Sequence, residues 1–143
     1  MDLGCWEGDF VAAARCEDMK AAGLDRSWEA IQKAEELWGS KGFFRGNLEC
    51  LLSFEADVTL LLSTWAYLDQ EYANAEAILA KIIRSSRVTF FETQLAGDGP
   101  GPSYLRTDEN VESLLEHFGK VQALLTIELP ERKRHRTLWR IDS

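Results

Sequence analysis

Apolar residues follow two alternating rhythms along this chain. Short apolar runs of strand length are separated by stretches in which apolar side chains recur every three or four positions, the spacing of one helix face. Leu3 ends a first run, and Met19 to Leu24 forms a second. Between them, Gly8 to about Cys16 reads as a helix with Phe10, Ala13 and Ala14 on one side. Ser27 is a residue type that caps helix starts, Ile31, Ala34 and Trp38 mark the helix after it, and Gly39 stops that helix. Gly42 to Gly46 is a weak third strand. Val58 to Leu62 is continuously apolar, the pattern of a central parallel strand covered on both faces. A helix from about Gln70 to Ser85 follows, with Ala75, Ile78, Leu79, Ile82 and Ile83 as its stripe, then a fifth strand over Val88–Phe91. Gly97, Gly99, Pro100, Gly101 and Pro102 punctuate a loop that reads equally as a surface connection or a lid. Thr107 caps a last helix, on which Val111, Leu114, Leu115 and Phe118 align. Val121 to Leu129 and Thr137 to Ile141 are two closing strands, and so short a join between them requires an antiparallel pair.

Strands alternating with helices and closed by a hairpin predict an α/β fold with helices on both faces of a mostly parallel sheet. Only Met1 and Asp2 precede Leu3, so the first strand reads as truncated. At 143 residues, with no repeat or linker, one domain over 1–143 is expected. Apolar residues make up 45% and charged residues 28%, as in ordinary globular chains. No run reaches the roughly 18 apolar residues of a membrane span, and no secretory signal is visible. Cys5, Cys16 and Cys50 are odd in number and lack metal-ligand spacing, which reads as reduced thiols in a cytoplasmic protein. A net charge of −8 disfavours a nucleic-acid partner, because phosphate neutralisation dominates such binding.

The most informative segment is the first. Asp2-Leu3-Gly4-Cys5-Trp6-Glu7-Gly8-Asp9-Phe10 reads as strand end, glycine turn and helix start, and Asp25 follows Gly4 by 21 positions. A glycine turn with an acid about 20 residues on is a nucleotide-cradling arrangement, in which glycines admit a ligand to the backbone and the acid accepts ribose hydroxyls. Plain turn glycines are the competing reading of Gly4 and Gly8, and Asp25 is also placed to cap the helix at Ser27. Asp57-Val58-Thr59-Leu60-Leu61-Leu62-Ser63-Thr64-Trp65 puts Ser63, Thr64 and Trp65 at the carboxyl end of the fourth strand, where such sheets place chemistry.

Taken together, the glycine turn, Asp25, the fourth-strand segment and the terminal hairpin resemble the class I S-adenosylmethionine-dependent methyltransferases, from Asp2 to about Ile141. That resemblance implies a Rossmann-like seven-stranded sheet with its last strand inserted antiparallel beside the fifth. It implies S-adenosyl-L-methionine as cofactor, with its methionine part near Asp2 and Gly4 and its ribose on Asp25. The cofactor set it implies is Asp2, Gly4, Cys5, Trp6, Gly8, Asp25, Arg26, Asn47, Leu48 and Ser63, and Trp6 stands where the family's middle glycine usually lies. Trp65, Tyr67 and Glu92 are the candidates for binding the methyl acceptor, a small molecule or a protein. The Asn/Asp-Pro-Pro-aromatic signature of nucleic-acid amino methyltransferases is absent.

Plainer readings stand beside several of these. Asn47 also reads as an ordinary loop residue, Trp65 and Tyr67 as packing, and Glu92 as a solvated carboxylate after the fifth strand. His117 suits a contact with a helix end, and Arg132, Lys133, Arg134, His135 and Arg136 a solvated hairpin turn. No catalytic base stands out. The segments that commonly cover such sites in the family are minimal, so three readings stand side by side: a truncated form, an oligomer or partner that covers the open site, and a large substrate taken in an open cleft. Two other functions compete: a catalytically silent Rossmann-like binding module with Trp6 blocking the site, and an NAD-dependent oxidoreductase. The second fits poorly because the tight Gly-x-Gly-x-x-Gly turn is missing.

Overall fold

The computed structural model describes residues 1–51, 54–65, 74–96, 107–129 and 134–143. In chain order the elements are β1 (Asp2–Leu3), α1 (Asp9–Cys16), β2 (Gly23–Asp25), α2 (Trp28–Trp38), β3 (Phe43–Arg45), a single 3-10 turn (Leu48–Cys50), β4 (Ala56–Leu61), α3 (Ala75–Arg84), β5 (Ser86–Ala96), α4 (Asp108–Glu116), β6 (Lys120–Leu129) and β7 (Arg134–Asp142). Seven strands make one mixed sheet in the order β3-β2-β1-β4-β5-β7-β6. Parallel pairing joins β1 to β2, β2 to β3 and β4 to β5, whereas β7 runs antiparallel to both β5 and β6. Two compact units divide the chain, Met1–Phe54 and Glu55–Ser143.

In the first unit, Cys5, Val11, Ile31, Ala34 and Phe43 form the core. Ser27 caps α2 by accepting the Ala30 N–H, and Gly39 ends it with its N–H on Glu35 O. The helix face expected for α1 is out of phase. Val11 is buried and Phe10 is 55% exposed, because the stripe that meets the core runs through Val11 to Arg15, whose guanidinium lies over the Phe43 ring. Arg15 also donates to the carbonyls of Ala21 and Lys41. The second strand is shorter than the apolar run from Met19 suggested. Asp18 has a positive φ of 57°, and the Met19 N–H still bonds back to Ala14 O, so the chain is closing the helix there rather than extending.

In the second unit, Leu61, Leu79, Ile82, Ile83, Phe91, Val111, Leu115, Trp139 and Ile141 are buried. Thr107 caps α4 by accepting the Asn110 N–H. β4 is not covered on both faces along its length, for Val58 is 41% exposed while Thr59 and Leu61 are buried. The strand keeps its period of two although Val58 to Leu62 reads as an apolar run. β5 and β7 are longer than their apolar runs because β7 pairs with β5 without interruption from Val88↔Asp142 to Ala96↔Arg134. Their polar residues are carried into the sheet by that ladder. Hence Arg134, His135 and Arg136 belong to a strand, not to a solvated turn, while Arg132 and Lys133 lie outside the described residues. The loop from Gly97 to Pro102 and the start of the helix expected from Gln70 also lie outside them.

Candidate functional site

The turn after β1 is held in a conformation that few residues adopt. Gly4 and Gly8 both have φ near +81°, and Trp6 between them has φ +48°. Gly4 and Cys5 donate their N–H groups to Leu24 O at 2.8 and 3.1 Å, and the Gly8 N–H returns to Cys5 O at 2.8 Å. Glycine is required at position 8 for two reasons: its left-handed backbone, and a side-chain slot already occupied by the Phe43 ring. The indole N–H of Trp38 donates to Glu7 O at 3.0 Å, tying α2 to the same turn.

Asp25, at the end of β2 and only 9% exposed, fixes the turn from the other side. One carboxylate oxygen accepts the Trp6 N–H at 2.9 Å and the other accepts the Ser27 N–H at 2.8 Å. It therefore both caps the α2 entrance and ties the glycine turn. An ionised carboxylate offers about four lone-pair sites; two are filled here, which leaves acceptor capacity for a diol. Asp2 is buried with one oxygen, Oδ2, lacking a partner. Desolvation pushes its carboxyl up to about 6, an effect opposed by the terminal ammonium and reinforced by Asp25. Burial, with Asp2 and Asp25 adding to it, pushes the Cys5 thiol up to about 12. Cys5 is thus a core residue without thiolate chemistry. Arg26 is exposed next to Asp25. Asn47 is exposed at the start of the 3-10 turn without a side-chain capping bond, and Leu48 is buried.

The second unit holds a separate polar cluster. Ser63, two residues past β4 and with φ +52°, donates to Glu92 Oε2 at 2.6 Å. Arg136 Nη1 donates to Ser63 Oγ at 3.0 Å and to Glu92 Oε1 at 3.3 Å. Glu92 lies inside β5 rather than beyond it, and it is a half-buried partner of Arg136 rather than a solvated carboxylate. Trp65 is buried edge-on against Phe91, with ring centroids 5.7 Å apart. Tyr67 lies outside the described residues. Sequence reasoning missed a third group: His135 Nε2 lies 3.2 Å from Asp108 Oδ2, which also accepts the Thr137 hydroxyl at 3.1 Å. The length of β7 was the missing signal. His117 Nδ1 donates to Ser113 O within the last turn of α4, as its position suggested. Among the described residues there is no cluster of metal ligands, and no helix is long and apolar enough to cross a membrane.

No family model and no curated protein matches this sequence. Solved structures do match its fold. The N-terminal domain of EvdMO1 with SAH bound is 18% identical with a TM-score of 0.71, over 99% of this chain and 73% of that one. Magnesium protoporphyrin IX methyltransferase (ChlM) from Synechocystis PCC 6803 with bound SAM is 17% identical with a TM-score of 0.74, over 99% of this chain and 68% of that one. The bifunctional kinase-methyltransferase WbdD is 16% identical with a TM-score of 0.79, and this chain, matched over 99% of its length, spans 34% of it. The chain has the class I methyltransferase fold.

Proposed function

We propose that the first unit binds S-adenosyl-L-methionine (SAM) and that the chain takes part in methyl transfer to a small-molecule or protein acceptor. The observation that carries this reading is the clamp on Asp25. A buried carboxylate holds the glycine turn through the Trp6 N–H and the helix entrance through the Ser27 N–H, yet keeps lone pairs for two hydroxyls. The residues present fit such a ligand in other respects. Asp2 carries an unpaired, buried oxygen beside the turn, and the left-handed glycines bring bare backbone to the ligand's side. Structures similar in fold were solved with SAM or SAH bound, which supports the same reading.

When bound, SAM would supply a methyl group already activated on a positive sulfur. The chain's own task is then positioning. Asp25 accepts the ribose hydroxyls, Asp2 and Gly4 border the methionine part, and Asn47 and Leu48 flank the adenine. Gly8, Cys5 and Arg26 shape the turn and its edge. The sequence resemblance would add Ser63 to the cofactor set and offer Trp65, Tyr67 and Glu92 to the acceptor. Isothermal titration calorimetry with SAM and with S-adenosylhomocysteine (SAH) tests the reading directly. Saturable heat with either ligand supports it; no heat and no thermal stabilisation at millimolar concentration would overturn it, together with the methyltransferase role proposed on it.

A further inference from the structure

The five tryptophans of this chain are not used alike. Trp65 and Trp139 are buried, and Trp139 donates its indole N–H to Thr93. Trp28 meets the Arg45 guanidinium on its ring face, and Trp38 gives its N–H to Glu7. Trp6 alone leaves its ring without such a contact among the described residues. Its backbone N–H is fixed on Asp25, yet the residue is 62% exposed. It sits in a left-handed conformation that disfavours a bulky side chain, at a turn where glycines flank it on both sides. An exposed aromatic ring carried on a fixed stretch of backbone is suited to a positive charge, which is drawn to the negative face of the ring. The surroundings agree, since Asp2, Glu7, Asp9 and Asp25 all belong to or border this turn.

We propose that Trp6 is a specificity-determining residue that favours a cationic sulfonium ligand over its neutral thioether counterpart. This rests on the SAM reading of the same turn. The two ligands differ by one methyl group and one positive charge, so product would be held less tightly than cofactor. Exposed cation–aromatic contacts are worth enough to change affinity about two- to five-fold.

The experiment is calorimetry of SAM and SAH binding to the full chain and to Trp6→Phe and Trp6→Leu. The expected result is that Trp6→Leu weakens SAM about two- to five-fold, leaves SAH unchanged, and that Trp6→Phe retains part of the preference. A second series places tryptophans with increasing fluorine content at position 6. Fluorine drains the ring face without altering bulk, so SAM affinity should fall stepwise while SAH affinity stays level, even if Trp6→Leu folds poorly. Equal changes for the two ligands in both series, or none, would overturn the proposal while leaving SAM binding intact. Failure of the unaltered protein to bind either ligand would instead remove the reading on which it rests.

Discussion

Replacing Asp25 by asparagine separates the two duties of that side chain. Each oxygen now accepts one backbone N–H, from Trp6 at 2.9 Å and from Ser27 at 2.8 Å. An amide has one oxygen, so whichever way the substituted side chain turns, one of these N–H groups faces an NH₂ group. Losing a charge-assisted hydrogen bond and stranding a half-buried donor costs about 1.5–3 kcal/mol. For a chain of this length that corresponds to a fall in Tm of roughly 5–10 °C. The ligand loses more, because the proposed diol contacts depend on the carboxylate's two remaining acceptor sites. One or two weakened charged hydrogen bonds predict SAH binding about 10- to 100-fold weaker. The assay is calorimetry well below the variant's Tm, with circular dichroism to confirm that the protein titrated is folded. A lower Tm accompanied by SAH affinity within about two-fold of the original would show Asp25 to be only a brace for the turn, and the diol argument would be refuted.

Three further outcomes follow from the same geometry. The Asp2 carboxyl is raised from 3.8 to about 6 by burial, so the folded state holds its proton more tightly than the unfolded state; stability should therefore fall as pH rises from about 4 to 6 and stay reduced above it, and Asp2→Asn should remove that slope and gain about 2–3 kcal/mol near neutrality in urea titrations. Gly8→Ala meets both the left-handed backbone and the Phe43 ring and should cost about 2–4 kcal/mol, whereas Gly39→Ala, with φ +86° but open space around it, should cost about 1–2 kcal/mol; equal costs in chemical unfolding would show that the Phe43 contact is irrelevant. Arg136→Gln leaves Glu92, among the described residues, with the Ser63 hydroxyl and should cost about 1–2 kcal/mol, a loss that persists in high salt because the pair is half-buried; complete recovery in salt would mark it as a surface pair.

How legible each part was depended on how local its cause is. The glycine turn and Asp25 could be read from spacing alone because β1 and β2 are adjacent parallel strands in register, Leu3 opposite Leu24, so 21 positions along the chain become neighbours in space. Ser27 and Thr107 were readable as caps because capping involves only the next three residues. Helix phase was less legible. In an eight-residue α1, either Phe10 or Val11 satisfies an apolar stripe, and only Phe43 and Ile31 in the core decide for Val11. Pairing over long separations was not legible at all. Arg136 reaches Ser63 across 73 positions and Glu92 across 44, through a β5–β7 ladder whose polar half has no hydrophobic signature. His135 was misplaced for the same reason, and its bond to Asp108 depends on α4 packing that no motif announces.

These differences bear on which function the first unit serves. A turn that only connected β1 to α1 would need one glycine and no buried acid. Here three residues within five hold positive φ, one of them a tryptophan, and each is secured: Gly4 and Cys5 by Leu24 O, Trp6 by Asp25, Glu7 by Trp38, Gly8 by Cys5 O. A left-handed backbone at a bulky residue persists only where its surroundings over-determine it, and the group that does so is a carboxylate with acceptor sites to spare. An indole packed into the turn would close it to any ligand; at 62% exposure Trp6 is not packed there. Conformational cost concentrated on a turn that is secured at each of these positions, with its one aromatic ring left open, is what a ligand-receiving turn needs and a mere connection does not.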